Sequence, residues 1–121
     1  MRKTIEQELA NFCINKVKEV KESNDKSKIE KFGTNAKKLP SLIISNGLIP
    51  TLAFYKKEEK KPVYDAISEW LKEKNYIKND ALEELANSDS QTLRLATIEI
   101  LAIANWLKRI VEVEIKEEKN E

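Results

Sequence analysis

Apolar residues recur at three- and four-residue intervals along most of the chain, and the segments they mark predict helices. Ile5, Leu9, Phe12, Cys13, Val17 and Val20 form one face of a first helix from about Lys3 to Glu22. Val63, Ala66, Ile67, Trp70 and Leu71 fall at i, i+3, i+4, i+7 and i+8, an amphipathic helix opened by Pro62. Leu82, Leu85 and Ala86 mark a shorter helix with Asp80 as its cap. Ser88 with Gln91 has capping-box spacing and introduces a last helix from about Ser90 to Glu118.

Two regions interrupt this regularity. The stretch ESNDKSKIEKFGTNAKK is polar, which predicts a solvated loop with a short helical piece around Ser27 to Phe32, ended by Gly33. Then LPSLIISNGLIPTLAFY, residues 39–55, carries no charge at all. Pro40 suits the first turn of a helix, and Asn46-Gly47 with Pro50 predicts a kink or break between 46 and 50. Leu52, Ala53 and Phe54 continue an apolar face until Lys56 and Lys57, and KKEEKKP reads as a solvated connector. The uncharged run is short for a membrane span and is punctuated near its middle, so a core element is expected instead.

On the last helix, Leu93, Leu95, Ala96, Ile100, Ala102, Ile103, Ala104, Trp106, Leu107, Ile110, Val111 and Val113 cover more than half of the circumference. A helix packed on one side needs a narrower stripe, so this one is central to its bundle or lies partly under another chain. The opposite strip holds Arg94, Asn105, Lys108, Arg109 and Glu112, with Ile98 and Leu101 set among them as candidate subunit contacts. Glu99 points into the apolar arc, where a carboxylate needs a cationic or hydrogen-bonding partner. An internal partner and a neighbouring subunit are both open to it.

Composition narrows the class. The chain has 121 residues, 40% hydrophobic and 36% charged, with two glycines and three prolines. That predicts an all-α protein: one domain over 1–121, a compact bundle of about five or six helices with a long C-terminal helix. No secretory signal is visible, and the single cysteine, Cys13, fits core filler in a cytoplasmic protein. Net charge is +1, so no global basic field points to nucleic acid.

Catalytic chemistry is scarce. With no histidine, the commonest general base and metal ligand is missing. Gly33 and Gly47 cannot form a phosphate loop, and no zinc ligand set exists. Asp65 and Glu69 at i, i+4 are the one pair that could share a metal; solvated helix-face carboxylates are the ordinary reading. The expectation is a protein that is not an enzyme and uses no cofactor or metal.

Two stretches go further together. Leu39-Pro40, Ile43, Asn46-Gly47-Leu48 and Thr51-Leu52-Ala53-Phe54 are followed by Tyr64 and Trp70, then by Thr97, Glu99, Leu101 and Trp106 to Arg109. This order, with NGL–TLAF and WLKR as its markers, resembles the small α-helical subunit of type III-B CRISPR effectors, the Cmr complexes, over nearly the whole chain. Pro50 departs from the more helix-friendly residues expected between NGL and TLAF. The resemblance implies a helical fold without a catalytic site and copies stacked as an inner filament of a ribonucleoprotein. It implies as partners the other effector subunits, further copies of the chain, and the guide and target RNA, with no membrane and no small-molecule substrate. Phosphate contacts suffice where base pairing reads sequence, so Lys37, Lys38, Arg94, Lys108 and Arg109 are the candidate RNA contacts. Lys16, Lys18 and Lys21 are secondary candidates, and Glu99 joins Ile98 and Leu101 as a candidate subunit contact. The competing expectation is a free-standing helical adaptor that binds a protein partner without RNA.

Overall fold

The computed structural model describes residues 3–115. Six helices in chain order make up the described chain: α1 (Ile5–Glu22), α2 (Lys26–Asn46), α3 (Leu48–Tyr55), α4 (Lys61–Glu73), α5 (Ala81–Ala86) and α6 (Ser90–Glu114). The all-α bundle expected from the sequence is therefore the fold, with its long last helix. That helix stops at Glu114, with Ile115 as its C-cap; the rest of the expected extension to Glu118 lies outside the described residues.

Helix starts are chemically marked. Thr4 Oγ1 accepts from the Gln7 N–H (3.1 Å), and Gln7 Oε1 accepts from the Thr4 N–H (2.8 Å), a reciprocal cap on α1. Asp25 caps α2 through the Lys28 N–H (3.2 Å), and Asp80 caps α5 through the Glu83 N–H (2.9 Å). The cap of α6 is Asp89, which accepts from the Thr92 N–H at 2.7 Å, and not Ser88 as the spacing predicted. Ser88 serves the preceding helix instead, its hydroxyl donating to the Leu85 carbonyl (2.7 Å).

The stretch 22–38, expected as a solvated loop with a short helical piece around Ser27 to Phe32, is helix from Lys26 onward. Helix α2 runs through both Gly33 and Pro40 and buries Phe32, Gly33, Asn35, Ala36, Leu39, Pro40 and Ile43. Ile29, Phe32, Ala36, Leu39 and Ile43 keep helical spacing across the glycine, and the lysines occupy the other face. A Cβ on Gly33 would stand 3.2 Å from Ile115 Cγ2, so the missing side chain lets the end of α6 close on α2. Pro40 is likewise interior to α2, and not at its first turn as expected. Its absent N–H leaves the Ala36 carbonyl without its helical donor, a local cost borne within a buried stretch of α2.

The expected break falls at Gly47, whose φ of 87° and ψ of 163° suit glycine almost alone. Pro50 then occupies the first turn of α3, where an N–H has no intrahelical acceptor anyway. Helix α3 folds back along α2: the Thr51 hydroxyl donates to the Leu42 and Gly47 carbonyls (3.0 and 2.8 Å), and the Tyr55 hydroxyl to the Asn35 carbonyl (2.7 Å). Leu52 is buried as expected, but Ala53 and Phe54 face outward.

Helix α6 is the centre of the bundle, packed against α1, α2, α4 and α5. Ala96, Ile100, Ile103, Ala104, Leu107 and Val111 form its buried face. Cys13 on α1 is fully buried beneath it, Sγ 3.7 Å from the Ile103 carbonyl, and burial pushes the thiol up to about 12. Core filler is the role the structure gives it.

Candidate nucleic-acid and subunit interface

The outer face of α6 carries the candidate surface. Stepping three and four residues along 25 residues of helix (about 37 Å) aligns Arg94, Ile98, Leu101, Asn105, Lys108, Arg109 and Glu112 in one strip. Ile98 is 59% exposed and Leu95 beside it 43%, while Leu101 is half-buried. Leu95 and Val113, expected in the buried arc, sit at its edge in solvent, so the arc is wider than the chain itself covers. Arg94 and Arg109 are exposed, and Lys108 is partly so. Neither Arg94 nor Lys108 forms an ion pair with a described residue. The Arg109 guanidinium lies 5.6 Å from the Trp106 ring centroid, a stacking that steadies its planar fork.

Glu99 stands on the flank of this strip and turns inward. Its Oε2 accepts from the indole N–H of Trp70 at 3.0 Å, which ties α6 to α4 through a neutral donor. Trp70 is itself buried, edge-on to Phe12 with centroids 5.0 Å apart, and the Lys74 ammonium lies 4.8 Å from its ring. The partner that the sequence required for Glu99 is thus inside the chain.

The lysines of α2 are separate from the strip. Lys38 is exposed on the outer side of α2, and Lys37 is half-buried and engaged within the chain. Of the secondary candidates, Lys16 pairs with Glu69 and Glu19 and lies 5.4 Å from the Phe12 ring centroid. Burial would lower the pKa of that ammonium, but the two carboxylates outweigh burial and raise it. Lys21 pairs with Glu114 at 3.5 Å, and Lys18 is exposed. The ion pair to Lys16 also occupies Glu69, and no three metal-ligating side chains gather anywhere among the described residues.

A second region binds its charges internally. The Tyr64 hydroxyl donates to Asp80 Oδ1 (2.7 Å) and accepts from the Leu82 N–H (2.9 Å), and Lys56 reaches Asp80 Oδ2 at 3.1 Å. Partial burial alone would raise the Asp80 carboxyl, but the Glu83 N–H, Tyr64 and Lys56 hold it below its ordinary value. Glu84 accepts from the Lys78 and Asn79 N–H groups (2.8 and 2.6 Å), which lowers its pKa and closes the turn before α5.

One surface feature escaped the sequence reading. Phe54, assigned to the core, is 38% exposed, with the ammoniums of Lys57 and Lys60 at 4.9 and 4.5 Å from its ring centroid. The i, i+3 spacing of Phe54 and Lys57 was the available signal, hidden by the uncharged run before it.

No helix among the described residues is long and apolar enough to cross a bilayer. The model of the CRISPR-associated protein family Cas_Cmr5 matches residues 5–114. The CRISPR system Cmr subunit Cmr5 of Thermotoga maritima is 35% identical to the chain over 122 aligned residues, covering 98% of this chain and 91% of that protein. The chain belongs to this family, the small subunits of type III-B (Cmr) CRISPR effectors, as the NGL–TLAF and WLKR stretches implied.

Proposed function

We propose that the chain is a non-catalytic, cytoplasmic subunit that stacks in copies along a type III-B effector and holds target RNA on the guide through phosphate contacts. The observation that carries this is the outer strip of α6: Arg94, Lys108 and Arg109 with exposed or part-exposed Ile98, Leu95 and Leu101 between them. Guide–target pairing supplies sequence recognition, so the subunit needs only cations that meet phosphates and apolar groups that meet its neighbours. A chain of net charge +1 can serve, because weak contacts repeated by successive copies add up. Lys37 and Lys38 are the second set of proposed contacts. Glu99 acts on the proposed subunit contact indirectly, by fixing α6 against Trp70.

The test replaces Arg94, Lys108 and Arg109 by Ala and measures target-RNA binding by the assembled complex over a salt series. Loss of three phosphate contacts lowers the magnitude of the log–log salt slope by about 2 per copy engaged. An unchanged affinity and slope would remove the strip from the RNA path. The adaptor reading draws on the same exposed Leu95 and Ile98. It is separated by co-purification, since guide RNA and the other effector subunits accompany the chain only under the first reading.

A further inference from the structure

We propose that Phe54 is a stacking platform for one unpaired base of a single-stranded nucleic acid, with Lys57, Lys60 and Lys38 placed for the flanking phosphates. The ring lies at the edge of a groove of about 520 Å³ lined by Leu42, Asn46, Pro50, Thr51 and Phe54. Three of these walls are apolar, and the exposed Asn46 offers the polar edge that a base requires, while the buried Thr51 hydroxyl is engaged by the Leu42 and Gly47 carbonyls. Lys38 sits one turn before Leu42 on the same side of α2.

Charge selects the occupant. None of Lys38, Lys57 and Lys60 forms an ion pair with a described residue, whereas Lys31 and Lys56 nearby are paired with Glu59 and Asp80. No carboxylate lines the groove, and Glu58 and Glu59 line a different cleft with Lys28, Lys31 and Lys61. An uncharged slot whose aromatic wall carries two lysine ammoniums suits a base joined to phosphates. The exposed apolar area is one ring, Pro50, Ala53 and part of Leu42, far less than a stable protein interface covers. In the free chain the two ammoniums rest on the ring. When a base takes the ring face, they turn to its phosphates.

The platform shares the ligand class of the α6 reading but none of its residues, so the two fail separately. The experiment is a nuclear magnetic resonance titration of the full chain at low salt with a short unstructured single-stranded RNA and with an abasic ribose-phosphate oligomer of the same length. Expected are shifts of the Phe54 ring protons with the RNA and not with the abasic oligomer. Phe54→Leu, a change at a partly exposed position, weakens RNA binding about tenfold without changing the salt slope; Lys57→Ala with Lys60→Ala lowers that slope by about 1.4. Shifts confined to α6 around Arg94, Lys108 and Arg109 overturn the platform and leave the strip standing. Equal shifts with the abasic oligomer, or none anywhere, also overturn it. So does a Phe54→Leu chain that binds RNA normally yet fails to join the effector, which would make this face a protein contact.

Discussion

The cluster around Asp80 and the outer strip of α6 use the same residue types to opposite ends. At Asp80, one carboxylate gathers a lysine, a tyrosine hydroxyl and a helix N-terminus, and so joins α3, α4 and α5. On the strip, Arg94 and Lys108 form no ion pair with a described residue, although Glu112 shares their face, and Ile98 beside them is exposed. Charge matched within the chain holds the fold together; charge left unmatched is available to something outside it. In a sequence of 22 basic and 21 acidic residues, this allocation is invisible until the helices are in place.

The contrast is sharpened first at Trp70, where the internal network meets the core. Trp70→Ala removes a buried ring and leaves the half-buried Glu99 without its donor, and it lowers unfolding stability by about 3–5 kcal/mol in a urea titration. Asp80→Ala unties a cap and two side-chain partners and costs about 1–2 kcal/mol by the same measurement. Acid separates the regions too. The folded-state pKa of Asp80 lies below its ordinary 3.8. Its contribution is therefore present above that value and is lost as pH falls through the lower folded pKa. Asp80→Asn should flatten this limb of a stability–pH curve. Smallest of all is the strip: the triple Arg94, Lys108 and Arg109 replacement changes stability by within about 0.5 kcal/mol. A strip variant as damaging as the Asp80 variant would break the comparison and make those cations structural.

Helices α1, α4 and α6 were legible because their apolar spacing is unbroken by glycine or proline. In α2 the same spacing is present from Ile29 to Ile43, but Gly33 and Pro40 carry local signals for ending or starting a helix. Those signals lose to contacts distant in sequence: Gly33 is used by Ile115, and Pro40 is packed in the core. Gly47 and Pro50 carry the same kind of signal with no such contact to override it, and there the expected break occurs. The cap of α6 slipped by one residue because Ser88, Asp89 and Ser90 are all good caps, and the hydroxyl of Ser88 had other work. At the candidate surface, residue types were readable but their company was not. Periodicity placed Ile98 and Leu101 among cations; only the folded chain shows that Glu99 is held by Trp70, Lys16 by Glu69, and that Phe54 lies edge-on to Tyr55 with two lysines on its ring.

The burial of Cys13 has a bearing on how binding can be controlled. Histidine and cysteine are the side chains that ordinarily change charge near neutrality. The chain has none of the first, and its single thiol is lifted to about 12. The surface potential is therefore nearly deaf to the acidity of its surroundings across the neutral range. Ionic strength is left as the dial: counterions can loosen its hold on a polyanion, while a modest swing in acidity passes unnoticed.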